Sequence, residues 1–157
     1  MTTTRLLVLA ALAAALLALL LAVQHRGPAR GAVLADPVHT PGVVNPAVTQ
    51  AEIRSTICAK GWTRTIRPSV TYTNALKLRQ MRRYRERGSP SAYQEDHLIS
   101  LELGGDPTDP RNLWPEPYPR ASAVDQIENE LNARVCSGAL SLRDAQDRES
   151  ELKHTQG

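Results

Sequence analysis

The sequence predicts a small single α+β domain, a short β-hairpin and helix surrounded by further helices. Three observations carry that prediction. Apolar residues recur at helical spacing in two stretches, Ala75, Leu78, Met81, Tyr84 and Val124, Ile127, Leu131, Val135. Between them, Tyr93 to Leu103 alternates as a strand does. The chain has 157 residues, 41% of them apolar and none of them Phe. That suffices for one core built on Leu, Val, Ile and Ala, and not for two ordinary domains.

From the N-terminus, Leu6 to Val23 is an unbroken run of Leu, Ala and Val behind Arg5. Residues 1–35 therefore read as an export signal or an N-terminal membrane anchor through residues 6–23. Val33-Leu34-Ala35 has the residue types signal peptidase accepts, but it stands beyond His25, Arg26 and Arg30, so both readings stay open. Either one puts the rest of the chain outside the cytoplasm: secreted, periplasmic or held at the cell envelope. Residues 36–47, rich in Pro, Gly and Val without periodicity, read as a flexible linker, and 48–153 as the folded domain.

Thr49-Gln50-Ala51-Glu52 is a capping-box pattern that opens a short helix ending near Cys58 and Gly61. Trp62 to Arg67 alternates weakly before Pro68 and is at best a short strand. Thr73 caps a helix through about Arg87, which Gly88-Ser89-Pro90 ends. Gly104-Gly105 and two Asp-Pro pairs mark a turn-rich loop after the strand. The helix of Val124 to Val135 closes at Ser137-Gly138, Ser141 caps a last helix, and the tail from Lys153 is expected to fray.

The formal charge of +3 is a leader effect, since three bases and no acid lie in the first 35 residues. The remainder is neutral but polarised: residues 54–87 hold ten bases against one acid, and 88–157 hold six against thirteen. Lys77, Arg79, Arg82, Arg83 and Arg87 lie on or beside one helical face that could track the phosphates of a nucleic acid without reading bases. A solvated face, or pairing with the acidic C-terminal half, is the structural alternative. A charged fraction of 22% with 11 prolines excludes a coiled coil and a wholly disordered chain. Cys58 and Cys136 are too far apart for a CxxC knuckle and too few for a zinc site. In an oxidising compartment they read as one disulfide, with two buried thiols as the alternative.

The stretch that carries chemistry is Glu95-Asp96-His97-Leu98-Ile99, then Leu103-Gly104-Gly105, then Arg111-Asn112-Leu113. It resembles the HNH, or ββα-metal, endonuclease motif, in which an Asp-His pair ends a strand and an Asn about fifteen residues later opens the next element. The wider stretch from Cys58 to Gln146, with Gly61-Trp62, Tyr93 and Trp114-Pro115-Glu116-Pro117, looks like small exported bacterial proteins with this core.

The resemblance implies metal-dependent hydrolysis of phosphodiester bonds in DNA, with RNA as a second substrate. His97 would accept the proton of the attacking water, as a neutral imidazole can near pH 7. Asp96 and Asn112 would hold one divalent ion, Mg²⁺ or Mn²⁺, with a backbone carbonyl of residue 98 orienting the imidazole. One departure is plain: Ala121 stands where family members place a second His or Asn, with Arg120, Ser122 and Asp125 the nearest polar residues. That opens a second reading, an inactive HNH-like envelope protein that binds nucleic acid or another polyanion. His97 also reads as a half-buried strand residue and Asn112 as a cap. Glu95, Glu102 and Glu116 read as surface groups, and Trp62 and Trp114 as core pieces.

Overall fold

The structure, a computed structural model, describes residues 34–156. The candidate signal or anchor over residues 6–23 lies outside them, and among the described residues no helix is long and apolar enough to cross a membrane. The fold is α+β. Helices α1 (Trp62–Ile66) and α2 (Val70–Arg83) precede strands β1 (Tyr93–His97) and β2 (Leu113–Pro117), and helices α3 (Tyr118–Cys136) and α4 (Leu142–Thr155) follow.

Several elements differ from their expectation for identifiable reasons. Residues 62–66 are helical rather than extended, and Arg67 ends the helix in the extended conformation that Pro68 demands of its predecessor. The capping-box stretch winds through successive turns instead of a regular helix, with the Thr56 N–H on the Glu52 carbonyl at 3.0 Å. α2 is capped by Ser69, whose hydroxyl accepts from the Tyr72 N–H, and not by Thr73. Its buried face is Leu76, Gln80 and Met81, while Ala75 and Leu78 are exposed. Gln80 turns the helix this way because its amide donates to the carbonyls of Pro110 and Leu113, at 3.0 and 2.7 Å.

The sheet is an antiparallel pair in which Tyr93 opposes Pro117 and His97 opposes Leu113. β1 is half as long as expected: past His97 the chain tightens into a 3-10 turn, Leu101–Leu103, that ends on Gly104 with φ 75°. The proline-rich Leu113–Pro117 is its partner, and prolines are tolerated there because a strand of a two-stranded sheet leaves one edge unbonded. α3 leaves β2 directly, with Pro119 in its first turn. α4 is capped by Ser141, which accepts from the Asp144 N–H, and runs to Thr155; Lys153, expected to fray, is wholly buried.

Ile53, Ile57, Leu103, Leu131, Val135 and Leu142 form the main core. The Cys58–Cys136 disulfide, Cα–Cα 5.6 Å, pins the turns before α1 to the end of α3, and such a bond is compatible with an exported protein. Trp114 fills a smaller cluster with Ala35, Leu98 and Tyr84. Residues 36–47, read as a linker, instead pack as a strap. Val44 bridges Gly105, and the Gly42 and Asn45 N–H groups donate to the Arg111 and Gly104 carbonyls at 3.1 and 2.8 Å.

Candidate functional site

Asp96 and His97 end β1, and successive strand residues point to opposite faces. Both nevertheless line one polar cavity of about 370 Å³, shared with Arg67, Glu102 and, from α3, Asp125 and Glu128. Nε2 of His97 lies 3.1 Å from the carbonyl oxygen of Pro107. A carbonyl only accepts, so Nε2 carries the hydrogen and Nδ1 of the neutral ring keeps its lone pair. Burial lowers the imidazole pKa, against the Asp96 charge and the Pro107 bond that raise it, and keeps the ring neutral at pH 7. The orienting carbonyl is therefore that of Pro107, supplied by the first Asp-Pro pair of the loop, and not that of residue 98.

Asp96 faces the other way, onto α4. Its Oδ2 accepts from Nζ of Lys153 at 3.0 Å and its Oδ1 from Nε2 of Gln94 at 3.0 Å. Lys153 also reaches Oε1 of Glu128 at 2.6 Å and Oε1 of Glu149 at 3.2 Å, and donates to the His97 carbonyl. One ammonium balances one carboxylate, and Asp96 is that one. Burial, the largest influence, would raise it, but the Lys153 charge together with a hydrogen bond from Glu116 overcomes burial and holds it at about 2. Glu128 is pushed up to about 9, first by burial and then, against the pull of Lys153, by the Asp96 charge. Glu149 is pushed up by burial too, while both its oxygens accept from the Ser100 N–H at 2.9 and 3.0 Å. Lys153, drawn by three carboxylates, stays charged well above its ordinary range despite its burial.

Asn112 stands apart from the cavity, fully buried in the loop. Its Oδ1 accepts from the N–H groups of Ile99 and Val43 at 3.0 and 3.3 Å, and its Nδ2 donates to the carbonyls of Ile99 and Asp106 at 3.0 and 2.9 Å. The amide joins the strap, the end of β1 and the Asp-Pro loop. Gly105 makes room for it, since a Cβ there would stand 1.8 Å from the Ile99 carbonyl oxygen and 2.7 Å from Nδ2 of Asn112. The motif's glycine and asparagine thus share one structural task.

Of the basic residues, Lys77 is committed to the Tyr93 carbonyl at 2.9 Å and Arg79 to the Ala75 carbonyl at 3.1 Å. Arg82, Arg83 and Arg87 are exposed, and among the described residues none of these five makes an ion pair with an acid. Glu95 and Glu116, read as surface groups, are buried; the protonated Glu116 carboxyl shares a hydrogen bond with Asp96, while among the described residues neither oxygen of Glu95 has a partner. Burial drives both to about 8; Asp96 adds to each, and Lys77 opposes the shift at Glu95. Ala121 is a buried core residue. Sequence reasoning passed over Lys153, Glu128 and Glu149, although spacing signalled them. Glu128 falls on the apolar stripe of Val124, Leu131 and Val135, and Glu149 and Lys153 are four apart on the buried face of α4.

A divalent ion does not fit the residues the motif assigns to it. Asn112 has its amide fully used by backbone partners, Asp96 is neutralised by Lys153, and among the described residues no three His, Cys, Asp or Glu side chains are grouped to hold a metal. Fold and site together define a small, disulfide-bonded α+β protein with an oriented neutral imidazole beside a buried charge cluster. No family model, curated protein or solved structure matches the chain.

Proposed function

We propose that the protein is an exported HNH-like phosphodiester hydrolase acting on DNA and, secondarily, RNA. The observation that carries this reading is the His97 ring, with Nε2–H fixed on Pro107 and a free lone pair on Nδ1 beside a polar cavity. In this role Nδ1 takes the proton of a water, the resulting hydroxide attacks phosphorus, and the 3′-oxygen leaves. Arg67, in the same cavity, is the cation placed to pair with the phosphate. The order β1, loop, β2, α3 is that of a ββα core, and the exposed Arg82, Arg83 and Arg87 offer a phosphate-tracking face. The apolar run at 6–23 and the disulfide support export, with membrane anchoring through that run as one form of it. The purified protein is expected to nick plasmid DNA, and His97→Ala to abolish nicking. No cleavage of DNA or RNA with Mg²⁺, Mn²⁺ or chelator at any pH from 5 to 9 would sink the reading.

The Asp96–Lys153 bond favours a second reading, a scaffold retained for binding a polyanion without cleaving it. Binding would then weaken steeply with salt and Arg82→Ala/Arg83→Ala/Arg87→Ala would flatten that dependence, while His97→Ala left it unchanged.

A further inference from the structure

Asp96 from β1, Glu128 from α3 and Glu149 from α4 bring three carboxylates to one buried point, where the backbone carbonyl of His97 adds a fourth oxygen. Oxygen donors converging in this way call for a cation, although among the described residues no three His, Cys, Asp or Glu side chains are grouped to hold a metal ion. The point is filled by the Lys153 ammonium, with no exposure to solvent, held 2.6 to 3.2 Å from the three carboxylates.

We propose that Lys153 is the resident cation of this site, so that the protein acts on its substrate without a divalent ion. The inference rests on the reading of Asp96 and His97 as the working pair and departs from the motif in its metal. An ion entering from the cavity meets an Asp96 whose Oδ1 is hydrogen-bonded to Gln94 and whose Oδ2 is held by a fixed positive charge. Coulomb repulsion at such range opposes a second cation strongly. Displacing the ammonium is equally closed, because its stem belongs to α4 and its Nζ is bound to both β1 and α3. The lysine does for the strand end what a metal does elsewhere. It fixes Asp96 and the His97 backbone, and it places one positive charge beside the imidazole without the need for a bound ion.

The test is Mn²⁺ titration of the whole protein, followed by electron paramagnetic resonance and calorimetry. Wild type is expected to bind no stoichiometric Mn²⁺ in the micromolar range. Lys153→Met, which leaves the oxygen cage without its ammonium, is expected to gain one ion per chain and to lose it again with Asp96→Asn. Stoichiometric Mn²⁺ on wild type that Asp96→Asn removes would overturn the inference, as would a folded Lys153→Met that binds none. Should Lys153→Met not fold, the wild-type titration decides alone. Nuclease assays in chelator separate this from the reading it rests on: a chain that neither cleaves nor binds Mn²⁺ keeps the cation assignment and loses the hydrolase.

Discussion

Nζ of Lys153 lies 3.0 Å from Oδ2 of Asp96, across 57 residues of sequence and with no solvent access to the lysine. This bond ties the last helix to the end of the first strand. Removing one member of a buried pair leaves the other charge uncompensated, at about 3–5 kcal/mol. Lys153→Met is accordingly expected to lower the urea midpoint by that equivalent, and truncation after Leu152 to do the same. Glu149→Gln keeps one acceptor for the Ser100 N–H and is expected to cost about 1–2 kcal/mol.

Asn112 distinguishes a ligand from a loop clamp. A metal ligand would tolerate Asn112→Asp, since a carboxylate binds a divalent ion at least as well as an amide oxygen. The structure predicts the reverse, because Nδ2 donates to the Ile99 and Asp106 carbonyls, and an oxygen in its place would face two acceptors. Leaving such groups unsatisfied costs about 1–3 kcal/mol each. Asn112→Asp is expected to be destabilised by at least as much as Asn112→Ala, in chemical unfolding with and without Mg²⁺.

The Cys58–Cys136 bond closes a loop with a sequence separation of 78, most of the domain. In the chain-entropy account a loop of this length contributes about 4–5 kcal/mol. Reduction, or Cys58→Ser with Cys136→Ser, is expected to lower the unfolding free energy by most of that amount. The measurement is the urea midpoint with and without reductant.

Much of the frame was legible in the residues. The Val124–Val135 periodicity marks α3, Ser141 marks the start of α4, and the spacing of Asp96-His97 from Asn112 points to the loop that orients the imidazole. The rest was hidden by tertiary pairing. Pro115 and Pro117 argue against a strand until a two-stranded sheet gives them an unbonded edge. Residues 36–47 look like a linker because an extended strap has no side-chain period; its order comes from backbone bonds to a loop distant in sequence. Lys153 looks like a frayed end because a buried lysine is legible only with its three carboxylate partners, of which two come from distant places along the chain and the third from one turn earlier.

The buried carboxylates also set how stability changes with pH. Glu95 and Glu116 rise from an ordinary 4.5 to about 8, and Glu128 to about 9. Each binds its proton more tightly folded than unfolded, so its contribution is complete below about 4.5 and is lost as pH climbs through 8 to 9. Asp96 runs the other way, falling from 3.8 to about 2, and its contribution is lost only as pH drops below 3.8. Lys153 stays charged across this window. Thermal stability is therefore expected to peak near pH 4–5 and to fall steadily toward pH 9, where many proteins hold a plateau. Glu95→Gln and Glu116→Gln are expected to flatten the alkaline limb, because an amide has no proton to lose. Of the two, Glu116→Gln is the more telling: the acid must give up the proton it shares with Asp96 as pH rises through about 8, whereas an amide keeps donating to Asp96, so the variant is expected to be the more stable protein above pH 8. A melting temperature that stays level or rises between pH 5 and 8.5 would contradict the buried, protonated state of all three glutamates.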